Sequence, residues 1–94
     1  MTQTIEINGI NYGLENVNHN ELRTGDLSYE HGCVFKLTEK QEFPCEYSPD
    51  GIVTVFKTDG VYLKDHTMPK HWFDTWSSQG NANARSIRLN QIAA

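Results

Sequence analysis

The chain has 94 residues, 37% of them hydrophobic and ten of them aromatic, with a net charge of −4. Ten aromatics are enough for a core and argue against wholesale disorder. No apolar run comes near the roughly 20 residues needed to span a bilayer, and no broad basic face is available for duplex DNA. Length implies a single domain over residues 1–94, with a core so small that each large side chain matters.

Charge is uneven. Residues 1–47 carry eight acids against three bases, and residues 48–94 carry four acids against five bases. The polar N-terminus, MTQTIEING, reads as structure rather than as a leader. A cytoplasmic location is therefore expected, with Cys33 and Cys45 reduced.

In chain order, residues 2–14 alternate with period two around Asn8-Gly9. This is the strongest short-range hairpin signal, with Ile5 and Ile7 returning as Ile10 and Tyr12. Residues 15–21 read as a polar connector. Gly25-Asp26 is a turn pair, and residues 27–32 form a short strand. Val34, Phe35, Leu37 and Thr38 open a β-rich run over residues 33–43. Pro44, Pro49 and Asp50-Gly51 make a loop. Residues 52–58 form the clearest strand, Asp59-Gly60 reads as a two-residue turn, and residues 61–64 as its returning strand. Pro69 suits the start of a short helical segment. Trp72 and Trp76 would share one of its faces, and Gly80 or Asn81 would end it in a left-handed conformation. Residues 84–92 alternate as a last strand. The sum is a mainly β fold: a small antiparallel SH3-like barrel or bent sheet, with an N-terminal hairpin and one short helical turn near residues 69–78.

Residues that could carry chemistry are scattered. His31, Cys33, Cys45, His66 and His71 number enough for a zinc ion, but the cysteine spacings do not suit a structural site. His66 and His71 alone have a permissible separation. Cys45 lies beside Glu46, where a thiolate is disfavoured, and Cys33 begins an apolar strand. The glycines are single turn residues, with no phosphate-cradling loop among them. No catalytic residue, metal or cofactor is expected. Trp72, Phe73 and Trp76 serve either as core or as a contact surface; Trp76 is the expected core plug.

Three segments together resemble a pattern in small phage and prophage proteins: Asn20 to Asp26, His31 to Phe35, and Trp76 with Gln79, Gly80 and Asn81. The resemblance runs from residue 20 onward, leaves residues 39–63 unaligned and transfers no catalytic residue. It implies a phage-encoded protein, with Gln79-Gly80-Asn81 as a structural turn. Joined to the acidic N-terminal half, it suggests a non-enzymatic inhibitor of the anti-CRISPR type. Its partner would be a host protein or ribonucleoprotein complex that handles nucleic acid for defence. Glu39, Glu42, Glu46 and Asp50 bracket a loop that could occupy a basic groove, and Tyr47 would anchor it. On this reading the protein works in the host cytoplasm, touches no membrane and needs no nucleic acid of its own. One alternative is a small-barrel nucleic-acid module using Lys64, Lys70, Trp72, Arg85 and Arg88. Another is a virion structural or assembly protein; a homodimer would supplement its thin core.

Overall fold

A computed structural model describes residues 3–63 and 68–92. The strands are β1 (Thr4–Ile7), β2 (Ile10–Asn18), β3 (Leu27–Glu30), β4 (Cys33–Pro44), β5 (Ile52–Leu63), β6 (Ser77–Gly80) and β7 (Arg85–Gln91). A 3₁₀ turn (His19–Glu21) follows β2, and one short helix, α1 (Lys70–Asp74), precedes β6. The strands form one antiparallel seven-stranded sheet in the order β1-β2-β7-β3-β4-β5-β6. The sheet does not close, since β1 and β6 are its two edges, so the SH3-like barrel is not formed. The mainly β class, the N-terminal hairpin and the helical turn agree with the sequence reading.

Local chemistry explains most of the turns. Asn8 and Gly9 take φ of 51° and 83°, and Ile7 pairs with Ile10 across them. Two positive φ values in a two-residue link match the right-handed twist of the flanking strands. The same device joins β3 to β4, where His31 and Gly32 have φ of 53° and 78° and Glu30 pairs with Cys33.

Four readings are corrected. Residues 15–18 are not a connector: β2 runs through them and pairs with β7 from Tyr12↔Gln91 to Asn18↔Arg85. Asp59-Gly60 is not a turn, because β5 passes straight through it and its neighbour is β4. A register shift opposite, between Val34 and Phe35, absorbs the irregularity. Gly60 is needed for close approach instead: a Cβ there would lie 2.3 Å from Phe73 Cζ. Gly80 does not end a helix, since it closes strand β6, and the turn that follows spans residues 81–84. Within that turn Asn81 Oδ1 accepts the Asn83 N–H at 2.8 Å, whereas Gln79 and Gly80, expected to share a turn with it, belong to β6. Finally, α1 stops at Asp74, so Trp76 stands outside it and shares no helical face with Trp72.

Residues paired across a ladder share a face, which divides the core in two. Ile5, Ile7, Val34 and Leu89 pack on one face, with Tyr12, Leu14, Leu27, Tyr29 and Tyr62 around them. The other face holds two clusters. Val17, Leu22, Leu37 and Phe56 form one, and Cys33, Phe35, Met68 and Phe73 form the second, under Leu63 and Trp76. Phe73 is the plug of this end: its ring lies 5.3 Å from that of Phe35, while Trp76 stacks on Phe35 at 5.9 Å from a half-buried position.

Candidate functional site

The acidic residues singled out from sequence all fall on one element pair, the β4–β5 hairpin and its Cys45–Gly51 loop, but they do not form one face. In β4, Glu39 pairs with Lys57 and Glu42 with Thr54, and an odd spacing of three places them on opposite faces. Glu39 is matched by Lys57 at 3.4 Å and Glu42 by Lys40 at 3.7 Å. Asp50 is part of the loop's own scaffold. Its Oδ1 accepts the Ser48 hydroxyl at 2.6 Å and the Ile52 N–H at 3.2 Å, and these bonds hold its carboxyl below the usual range. Among the described residues Glu46 has no ion-pair partner.

Beside Glu46, Tyr47 is 86% exposed and packs on no other ring among the described residues. Phe43 and Ile52, near the same end of the hairpin, are exposed as well. Phe43 pairs with Val53 and Ile52 with Pro44, so the two lie on opposite faces of the hairpin, and Tyr47 is the exposed aromatic of the loop itself. Residues 39–57 carry four acids against two lysines, so its surroundings are acidic.

A second feature is an open groove of about 590 Å³ where the β3–β4 turn meets α1 and β6. Glu30, His31, Trp72 and Trp76 define it, with Thr75, Ser77 and Gln79 along its wall. An adjoining hollow of about 220 Å³ is lined by His31, Met68, Trp72 and Trp76. Trp72 is 54% exposed. Trp76 Nε1 donates to Glu30 Oε2 at 3.1 Å, and the His31 ring meets the Trp76 ring edge-on at 5.6 Å. Burial raises the Glu30 pKa above the ordinary 4.5. The Trp76 N–H, the Ser78 and Ser28 hydroxyls and His31 oppose that rise only in part. Ser28 Oγ lies near enough to act on this carboxylate, yet it is buried without a hydrogen bond of proper geometry.

Behind the groove, His19 Nε2 and Ser78 Oγ lie 3.0 Å apart, both fully buried. A serine nucleophile needs a base that a third group orients, and access to substrate. Here His19 Nδ1 has no partner, and neither side chain reaches solvent. The pair instead ties the 3₁₀ turn to β6, helped by the His19 N–H bond to Ala84 O at 2.9 Å. Burial first, and the charge of Lys40 second, lower the His19 pKa, so the imidazole is held neutral.

The basic set considered for nucleic acid is dispersed. Lys70 is bound to Asp74 at 2.6 Å, and Arg85 donates to Asn18. Arg88 grips Glu15 Oε1 with two nitrogens, at 3.0 and 2.8 Å, and faces Asp26 at 3.6 Å. Lys64 and His66 lie outside the described residues. Cys33 is buried and free, its thiol pKa raised by burial and then by Glu30; Cys45 is also free. No three His, Cys, Asp or Glu side chains converge as metal ligands among the described residues. In these residues no helix is long and apolar enough to cross a membrane.

Comparison with known proteins adds no identification: no family model, no curated protein and no solved structure matches the chain significantly. Sequence reasoning did not single out Glu30, and it placed His31 in a candidate zinc set and in the phage-like segment His31 to Phe35. One local signal did point to their position: His31-Gly32 between two β-forming runs has the form of a two-residue hairpin link.

Proposed function

We propose that the protein acts by binding, without covalent chemistry, and docks the tip of its β4–β5 hairpin onto a partner protein with a basic surface. The observation that carries this reading is Tyr47, which is 86% exposed at the tip of the hairpin. An aromatic ring on a preformed turn is a strong anchor, because it brings large contact area at low entropic cost. The surrounding acids act mainly on encounter and orientation, and those already paired with lysines add little affinity. A groove shaped for a nucleic-acid backbone fits this chemistry. The phage-like sequence pattern makes a host nucleic-acid-handling defence complex the first target to try.

The test is capture of bacterial CRISPR and restriction complexes on the immobilised protein, with affinities measured at two salt concentrations. Tyr47→Ala and Glu46→Lys should leave the circular dichroism spectrum unchanged. Tyr47→Ala should weaken binding at least about tenfold, the cost of losing a hot-spot aromatic. Glu46→Lys should chiefly slow association and flatten the salt dependence. Binding of both variants at the parent's affinity would overturn the hairpin reading. Capture of nucleic acid alone would replace it with the small-barrel module.

A further inference from the structure

The groove between the β3–β4 turn and α1 has the composition of a cation site, and it uses none of the tip residues. Three observations converge there. First, a carboxylate is drawn partly out of bulk water: Glu30 is half-buried, its Oε2 accepts the Trp76 indole N–H, and among the described residues no lysine or arginine pairs with it. Ionised carboxylates in such places are normally matched by a positive charge. Second, aromatic surface surrounds it. Trp72 stands 54% exposed at the mouth, and His31 and Trp76 form the wall. Third, His31 sits on the tight β3–β4 link at φ 53°, which sets its ring edge-on against Trp76 at 5.6 Å.

The chemistry narrows the ligand further. Glu30 already accepts the Trp76 indole N–H, and two serine hydroxyls lie beside it. Its negative charge is complemented by the aromatic rings that line the groove with it. The tryptophan faces that share the lining satisfy a cation's N–H groups poorly. A quaternary ammonium has no N–H to satisfy, spreads its charge over methyl groups, and is drawn to aromatic faces as well as to a nearby anion. The apolar hollow lined by Met68 continues the groove and would take an attached alkyl chain.

We infer that this groove binds a quaternary ammonium group, with the Glu30 carboxylate supplying charge, Trp72 and His31 supplying aromatic surface, and Trp76 holding Glu30 in place. The inference is independent of the hairpin reading, since each site can be altered without touching the other.

The experiment is a titration of the full chain with choline, followed by two-dimensional amide NMR. The Trp76 indole N–H signal is the reporter, assigned with a Trp72→Phe variant. The signal should move and saturate with choline and with tetramethylammonium. It should stay put with 3,3-dimethylbutan-1-ol, the neutral carbon analogue of choline, and respond more weakly to ethanolamine. Glu30→Gln keeps an acceptor for the indole and should weaken choline about tenfold while the rest of the spectrum stays folded. Trp72→Ala, at an exposed position, should do the same. The inference fails if choline does not shift the reporter at roughly 50 mM, a concentration well above the weakest specific affinities. It also fails if the neutral analogue shifts the signal equally, or if both variants bind choline as the parent does.

Discussion

Gly60→Ala tests how α1 is seated on the sheet. Gly60 lies in extended β5 and is not among the positive-φ glycines. With no backbone strain to pay for, an alanine there should stabilise by about 0.4–1 kcal/mol through the unfolded chain. The packing predicts the opposite sign. The new methyl carbon would lie 2.3, 2.4 and 2.9 Å from three carbons of the Phe73 ring. Ordinary carbon contacts are about 3.5–4.0 Å, so the ring must withdraw by more than about 1 Å. It cannot do so freely, because it packs on Phe35 and is clustered with Cys33 and Met68. Overpacking of this kind costs about 1–3 kcal/mol. For a domain of this size that is a loss of several degrees in Tm per kcal/mol. Urea denaturation of four proteins measures it: parent, Gly60→Ala, Phe73→Leu and the double variant. In the Phe73→Leu background the alanine should cost less than about 0.5 kcal/mol, because the obstructing ring edge is gone. An equal cost in both backgrounds would refute the close-approach explanation, and so would a neutral or stabilising Gly60→Ala in the parent.

Three further outcomes follow from the buried and strained groups. His19 has a folded pKa below the ordinary 6.5, so the unfolded chain binds the proton more readily. Its contribution is intact above pH 6.5 and is lost as pH falls below it, so the urea midpoint should drop between pH 7 and pH 5. His19→Gln should flatten that slope. Glu30 has the opposite sign: its folded pKa is raised, so ionisation opposes folding as pH rises through that value. Glu30→Gln should therefore be more stable than the parent at pH 7, as thermal unfolding will show. At His31, valine should destabilise by about 1–2 kcal/mol because a branched side chain tolerates the left-handed region poorly, whereas asparagine should be neutral or better.

The parts of the fold governed by short-range rules were legible in the sequence. Asn8-Gly9 and the alternating isoleucines specified a hairpin and its register, and Arg85–Gln91 could be read as a strand from Ile87 and Leu89 alone. Asp59-Gly60 misled because an Asp-Gly pair is a turn signal only when no neighbour needs the missing side chain. Phe73 needs it, and Phe73 lies thirteen residues away in sequence. The connector reading of residues 15–18 failed for a related reason. Glu15, Asn16 and Asn18 are polar, but their partners Arg88, Ile87 and Arg85 come from the far end of the chain. The tip residues were recognisable from composition, while their division between two faces was set by register. The groove was hidden because Glu30 and Trp76 meet across 46 positions.

The strand order has a consequence for how the protein is made. The last strand, β7, lies between β2 and β3 rather than at an edge. During synthesis the β1–β2 hairpin and the β3–β4–β5 meander can each form as they emerge, but no backbone ladder joins them until residues 85–91 are released. Both then offer an open strand edge, the template on which chains pair with the wrong neighbour. Chains cut short before Arg85 should accordingly assemble with one another instead of folding alone. A peptide spanning residues 84–92, supplied in trans, should insert into the gap and restore the monomer.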